Sequence, residues 1–446
     1  MASDAPREAQ AEVQAEVQAR VTAVWRREST RLVAALLRLT RDLELAEDLA
    51  QDALVAALEQ WPGDGIPANP GAWLMQVAKR RAIDTFRRNA TLRDRTAELA
   101  RSLPTGEEAQ VPDLDATLDH VEDDVLRLIL LTCHPLLSPE SRAALTLRLV
   151  AGLTTAEIAR AFLARESAVG QRITRAKKTL AEHRVDLEVP VGQERTARLD
   201  DVMSVVYLIF NEGYTATSGE DWTRPDLCHE GIRLARMLAV LEPRHPDTHG
   251  LQALLELQAS RLPARLDADG APVLLEAQDR VRWDQLLLRH GLAALDRATA
   301  VAREREESIG PITAQAHIAA CHARARTAEE TDWPRIARWY DALSAAAPGP
   351  VVEVNRAVAH GRAHGPDAGL AVLDALAPGA LAGSHLLPSV RGDLLARAGR
   401  HREAAGAFSA AISLTANEGE RSVLRRRRAE SLAADVGNAP SRTTSR

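Results

Sequence analysis

The chain has 446 residues, of which 46 % are hydrophobic and 3 % aromatic, with a formal net charge of −6 and three cysteines. That length holds roughly two to four domains. Ala, Leu, Arg and Glu dominate and alternating β-branched runs are nearly absent, which speaks against a sheet protein and for an all-α one. No apolar run approaches the ~18 residues of a membrane span, the N-terminus carries no signal-peptide core, and three scattered cysteines make no disulfide framework; a cytoplasmic chain without membrane contact is expected.

Residues 1–20 read as a flexible, polar N-terminus. Two helices follow over 21–60. The second, DLELAEDLAQDALVAALEQW, has six acids and no Lys or Arg between 42 and 60. Leu45, Leu49, Val55 and Leu58 supply its apolar positions, and Asp48, Gln51 and Asp52 share one exposed face by helical spacing. Such a one-signed face is either a solvated surface or a site for a basic partner. PGDGIPANPG then reads as a turn-rich loop, with Asn69 as N-cap and Pro70 at the first helical position. The helix after it begins apolar and turns basic. Lys79, Arg80, Arg81, Arg87, Arg88, Arg93 and Arg95 face only Asp84 and Asp94 across 79–95, a charge suited to phosphate contacts. Trp73 beside the loop is either core or a platform for an unstacked base. The stretch 93–124 reads as a linker, and 106–124 within it has eight acids and no Lys or Arg, so it is expected to be solvated.

In LTTAEIARAFLARESAVGQRITRAKKTL, Thr154 and Glu157 have capping-box spacing. Ile158, Phe162 and Leu163 make one short stripe. After a break, Val169, Ile173, Ala176 and Leu180 bury one face of a second helix. Gln171, Arg172, Arg175 and Lys178 occupy the other face, with Lys177 near its edge. Six Lys/Arg against two Glu between 165 and 184 make this a basic window in an acidic chain. It is either a helix-turn-helix whose second helix enters a major groove, or a hairpin with a solvated face.

Beyond residue 189 the pattern stays helical. In VMSVVYLIFNEGY, Val202, Val205, Val206, Ile209 and Phe210 form a broad apolar face, and Gly213 is placed to end the helix in the left-handed conformation. Asn211, Glu212 and Tyr214 are caps or a small polar site. Each cysteine precedes a histidine (Cys133 and His134, Cys228 and His229, Cys321 and His322), without the paired spacing of a zinc site. Neither a metal nor a cofactor is expected. Near the end, Gly392, Gly399, Ala404, Phe408 and Ala411 stand at tetratricopeptide consensus offsets, with Gly365 one repeat length before Gly399. A helical solenoid is expected over 346–433, preceded by a helical extension over 189–345 and followed by a disordered tail over 434–446. An enzyme is not expected: the chain has no Gly-rich phosphate loop and no HExxH.

The order of acidic helix, loop, basic helix, acidic linker and basic helix-turn-helix resembles the extracytoplasmic-function sigma factors of the sigma-70 family. The segment 21–92 is similar to region two and 125–188 to region four. YLIFNEGY and ETDWP (330–334) resemble stretches of the subgroup with a C-terminal tetratricopeptide-like extension. The resemblance implies that Asp48, Gln51 and Asp52 meet the β′ clamp helices of core RNA polymerase. Trp73, Lys79, Arg80, Asp84, Arg87 and Arg88 would read the −10 element, and Gln171, Arg172, Arg175, Lys177 and Lys178 the −35 element. Core polymerase, its β flap included, and promoter DNA are the implied partners, with a protein or peptide as ligand of the solenoid. A stand-alone helix-turn-helix regulator with a repeat sensor is the alternative.

Overall fold

The computed structural model describes residues 5–99, 121–162, 164–183, 185, 188–214, 224–267, 273–377, 379, 381–415 and 418–437, with 5–19, 26, 88–99, 121–123, 418 and 436–437 described by backbone alone. The chain is helical, with no β-sheet among the described residues. It divides into two compact units, Met1–Leu234 and Ala235–Arg446.

In the first unit, α1 (Ala5–Thr40), α2 (Leu43–Asp64) and α3 (Pro70–Leu99) pack mutually. The helix α1 begins inside the stretch expected to be flexible, because AEVQAEVQAR is made of good helix formers. It ends where Arg41 takes φ 52, and the Asp42 side chain caps α2 by accepting from the Leu45 N–H at 3.1 Å. Leu32, Leu36, Leu49, Trp61 and Leu74 fill the centre of the bundle.

Two expectations fail here. Val55 and Leu58 are exposed rather than core, because small Ala46, Ala50, Ala53, Ala56 and Ala57 let the neighbouring helices come close and take the buried stripe. The loop is also shorter than PGDGIPANPG: α2 runs through Pro62 to Asp64. A proline so near a helix end removes only one late hydrogen bond, buried Trp61 anchors the turn, and Gly65 at φ 82 ends it.

Then come α4 (Val121–Thr132), α5 (Pro139–Leu149), α6 (Thr155–Ala161), α7 (Glu166–Glu182) and α8 (Gly192–Tyr214). The helices α3 and α4 reach into 93–124 from either side; residues 100–120 lie outside the described residues. Asp124 does not belong to a solvated strap. It is 2 % exposed and held by Arg38 at 3.1 Å and Arg127 at 2.7 Å. The capping box is present, with Glu157 N–H on the Thr154 hydroxyl and the Thr154 N–H on the Glu157 carboxylate. Val169, Ile173, Ala176 and Leu180 are buried as a stripe on α7, which packs on α5 and α6. Phe162 caps the end of α6 and is half-buried rather than central; Leu163 lies outside the described residues.

Gly213 corrects the expectation of a left-handed cap. It lies within α8 and is not at positive φ. A Cβ there would stand 2.7 Å from the Leu227 Cβ and 2.8 Å from the Arg224 carbonyl and the Cys228 nitrogen, so glycine serves close approach to α9 (Pro225–Leu241). Glu212 is no cap either: it binds Arg224 at 2.6 Å, and the same guanidinium nitrogen donates to the Ala161 carbonyl at 2.6 Å.

The second unit takes the end of α9, then α10 (Pro246–Ala259), α11 (Gln285–Glu304), α12 (Pro311–Arg324), α13 (Trp333–Ala346), α14 (Pro350–His364), α15 (Pro366–Asp374), α16 (Leu386–Arg397), α17 (His401–Leu414) and α18 (Glu418–Gly437). From α12 onward each helix packs on its successor. Gly399 (φ 75) makes the α16–α17 turn and Gly365 (φ 98) the α14–α15 turn, so the glycines one repeat length apart hold equivalent corners. A Cβ on Gly392 would be 2.7 Å from the Phe408 ring, and Ala404, Phe408 and Ala411 are buried. ETDWP is likewise architectural: Asp332 caps α13, Trp333 meets the edge of His322 at 5.4 Å, and Arg280 donates to the Thr331 hydroxyl and the His322 and Ala325 carbonyls.

Candidate nucleic-acid interface

On α2, Asp48 is exposed, Gln51 half-buried, and Asp52 exposed but paired with Arg81 of α3 at 2.9 Å. Val55 and Leu58 continue the same face at i+7 and i+10 from Asp48, 47 % and 38 % exposed. The sequence contains these two apolar residues in the open, but their spacing alone also fits a core stripe.

Asn69 starts α3, its side chain accepting from the Ala72 N–H at 3.1 Å. That turn sets Trp73 edge-on to Trp61, with ring centroids 5.3 Å apart and Trp73 half-buried. Trp73, Arg80, Asp84 and Arg87 follow at i, i+7, i+11 and i+14, on one side of the helix, and the last three are exposed. Lys79 is half-buried and lies about a third of a turn away by the same spacing. The Arg88 side chain lies outside the described residues.

On α7, Gln171, Arg175 and Lys178 are exposed at i, i+4 and i+7 and Arg172 is half-buried. Arg175 donates to the Gln171 amide oxygen at 3.2 Å, which aligns both side chains along the helix. Lys178 reaches Glu182 at 3.6 Å in the open. Lys177 is the correction. Its ammonium pairs with Glu47 of α2 and its side chain is only 16 % exposed, so it belongs to a contact between α2 and α7, not to the outer face. Arg148 of α5 binds the other Glu47 oxygen at 3.1 Å. Two cations on one carboxylate satisfy a nearly buried charge that alone would be costly. The Thr30 hydroxyl donates to the Val150 carbonyl at 2.6 Å in the same junction. A cleft of about 770 Å³ opens beside it, lined by Arg38, Arg41, Arg127 and Lys177 and by Leu37, Leu131 and Leu180 among others; α1 also packs on α4, where both helices carry buried apolar residues.

The cysteines are free and buried. Burial pushes the Cys133 thiol up to about 11, against hydrogen bonding from Thr146 and Thr132. A thiol held protonated is a poor ligand, and no cluster of metal-ligating side chains gathers among the described residues. No helix there is long and apolar enough to cross a membrane.

Three family models match the chain: Sigma-70 region 2 over residues 24–91, Sigma-70 region 4 over 127–180, and a family of unknown function, DUF6596, over 198–299. An uncharacterised protein of Rhizobium meliloti (strain 1021) is 43 % identical over 397 residues, 88 % of this chain and 91 % of that protein. The ECF RNA polymerase sigma factor SigL of Mycobacterium tuberculosis (strain ATCC 25618 / H37Rv) is 33 % identical over 145 residues, 32 % of this chain and 77 % of its own length. The probable ECF RNA polymerase sigma factor SigI of the same strain is 31 % identical over 174 residues, 39 % of this chain and 59 % of its own length. No solved structure matches.

Proposed function

Because the chain belongs to the extracytoplasmic-function sigma factors of the sigma-70 family, we propose that it binds core RNA polymerase, recognises −10 and −35 promoter elements and starts transcription in the cytoplasm without covalent chemistry of its own. The observation that carries this reading is the pair of exposed polar faces on separate modules: Arg80, Asp84 and Arg87 on α3, and Gln171, Arg175 and Lys178 on α7.

In this reading Trp73 and the α3 face, with Lys79 and Arg88 at its margins, engage the −10 element. The α7 face, with Arg172 behind it, enters the major groove at the −35 element. Asp48, Gln51 and Asp52 meet the β′ clamp helices, with Val55 and Leu58 as apolar support, and the region-four module meets the β flap. The helical hairpins of the second unit form a regulatory solenoid for a protein or peptide.

The two elements are more than two helical turns apart, about 70 Å at ~34 Å per turn. A direct Glu47–Lys177 pair therefore has to open before both faces reach DNA. Residues 100–120, fully extended, reach up to about 70 Å, enough for that separation.

The test is co-elution of the full chain with purified core polymerase on gel filtration, with and without Asp48→Arg. A complex that the substitution weakens supports the reading. Tight binding to promoter duplex with no affinity for core polymerase would favour the stand-alone regulator instead.

A further inference from the structure

The helices α14, α16, α17 and α18 wall a cavity of about 410 Å³ that the promoter reading does not use. Val358, Leu394 and Phe408 give it an apolar floor. Three arginines, Arg362, Arg397 and Arg427, come from three different helices to line it. Arg427 donates to Asp393. Arg362 is held by Glu276 and lies 5.3 Å from the centre of the Trp333 ring. Arg397 is exposed and in no ion pair among the described residues. His401 belongs to the same lining, and its buried Nδ1 has no hydrogen-bond partner among the described residues. Glu430 at the rim pairs with Arg426 at 4.0 Å.

These charges crowd one another. Burial first, then the charge of Arg397, holds the Arg362 guanidinium below its ordinary range; Arg427 acts in the same sense. Burial pushes the Asp393 carboxyl up, and Arg427, Arg362 and Arg397 all pull it back. Asp393 pairs with Arg427 and Glu276 with Arg362, which leaves Arg397 the guanidinium of the three without an ion pair among the described residues. Arginine cannot relieve such crowding by losing its proton, whereas a further anion would.

We propose that this cavity binds a carboxylate carried on an apolar group. The carboxylate meets Arg397 in the two-pronged geometry that guanidinium favours, and the apolar part lies over Val358, Leu394 and Phe408. The cavity's volume lies within the range of about 300–1,000 Å³ of small-ligand sites and suits the last residues of a peptide or a medium-chain organic acid.

The experiment is isothermal titration of the full-length protein with four probes: octanoate, octanamide, and acetyl-Ala-Leu as the free acid and as the amide. Both acids are expected to bind, and both amides to bind at least about tenfold more weakly. Arg397→Gln should weaken both acids by about tenfold or more with unchanged melting temperature, since Arg397 is exposed. Arg397→Lys should fall between, keeping the charge without the fork. Tighter binding of the peptide acid than of octanoate marks a peptide C-terminus as the source, and the reverse order marks a small acid. Binding of neither acid, equal binding of acids and amides, or a wild-type response from Arg397→Gln would overturn the proposal. Neither polymerase nor DNA enters the assay, so its outcome is independent of the promoter reading.

Discussion

Asp48 and Asp52 stand one turn apart on α2; Asp52 has Arg81 beside it at 2.9 Å, and Asp48 is in no ion pair among the described residues. Asp48→Arg is therefore expected to weaken core-polymerase binding while changing folding stability by no more than about 0.5 kcal/mol, the usual range for an open surface site. Asp52→Arg should weaken binding too, with up to about 1 kcal/mol of lost stability from the broken surface pair. Binding titrations beside urea unfolding separate the two effects, and unaltered binding by Asp48→Arg would remove the clamp-face assignment. On α7, Arg175→Ala should cost about 1–3 kcal/mol at its cognate base pair and relax specificity there. Lys178→Ala should weaken all promoters alike. A panel of −35 variants distinguishes these outcomes; if neither substitution changes any of them, this face is not the reader. Gly213 offers a purely structural check. Gly213→Ala places a Cβ against Leu227 and two backbone atoms at 2.7–2.8 Å, and overpacking of this kind costs about 1–3 kcal/mol. Gly213→Asn, which a left-handed cap would tolerate, should be worse than Ala in the same unfolding measurement.

At the scale of elements, the proposed promoter reading requires the α2–α7 contact to open. Glu47→Gln keeps the shape and removes the charge that holds Arg148 and Lys177. It should loosen the junction and move fluorophores placed on α3 and α7 apart in the free protein; an unchanged transfer efficiency would count against a separable junction. Ala404→Arg tests the last hairpin, since Ala404 is 0 % exposed. A buried arginine there should abolish two-state melting of the second unit while a 1–185 fragment still binds polymerase, measured by circular dichroism and co-elution. These elements differ in how far the sequence reveals them. The capping box at Thr154 and Glu157 and the stripe Val169, Ile173, Ala176 and Leu180 are local patterns, and local patterns are legible. Local spacing puts Lys178 on the outer face and Lys177 near its edge; it is Glu47, distant in the chain, that draws Lys177 inward. Val55 and Leu58 have core spacing, yet the alanines beside them take the core because α1 and α3 approach closely. Gly213 carries a cap signal and a close-packing signal at once, and the chain beyond it decides between them.

At the scale of the molecule, buried histidines tie the stability of the second unit to pH. Burial, helped by Arg261 and Arg280, lowers His322 to about 3, and burial chiefly lowers His317 to about 4. Both are neutral in the fold and titrate near 6.5 when unfolded. The unfolded chain therefore takes up their protons first, so stability is full above about pH 6.5 and falls as pH drops from there toward the folded values. By pH 5 His322 alone should cost about 2 kcal/mol. Urea unfolding at pH 7 and pH 5 measures this, and His322→Asn should flatten the slope by about one proton. The central claim concerns transcription, and the most direct measurement is in vitro transcription from fragmented genomic DNA with purified core polymerase, read by sequencing of RNA 5′ ends. The account predicts starts that appear only when the chain is added, share common −10 and −35 sequences, become fewer with Asp48→Arg, and lose the −35 preference at one position with Arg175→Ala. A pattern of starts identical with and without the chain, at a concentration where it binds DNA, would contradict it.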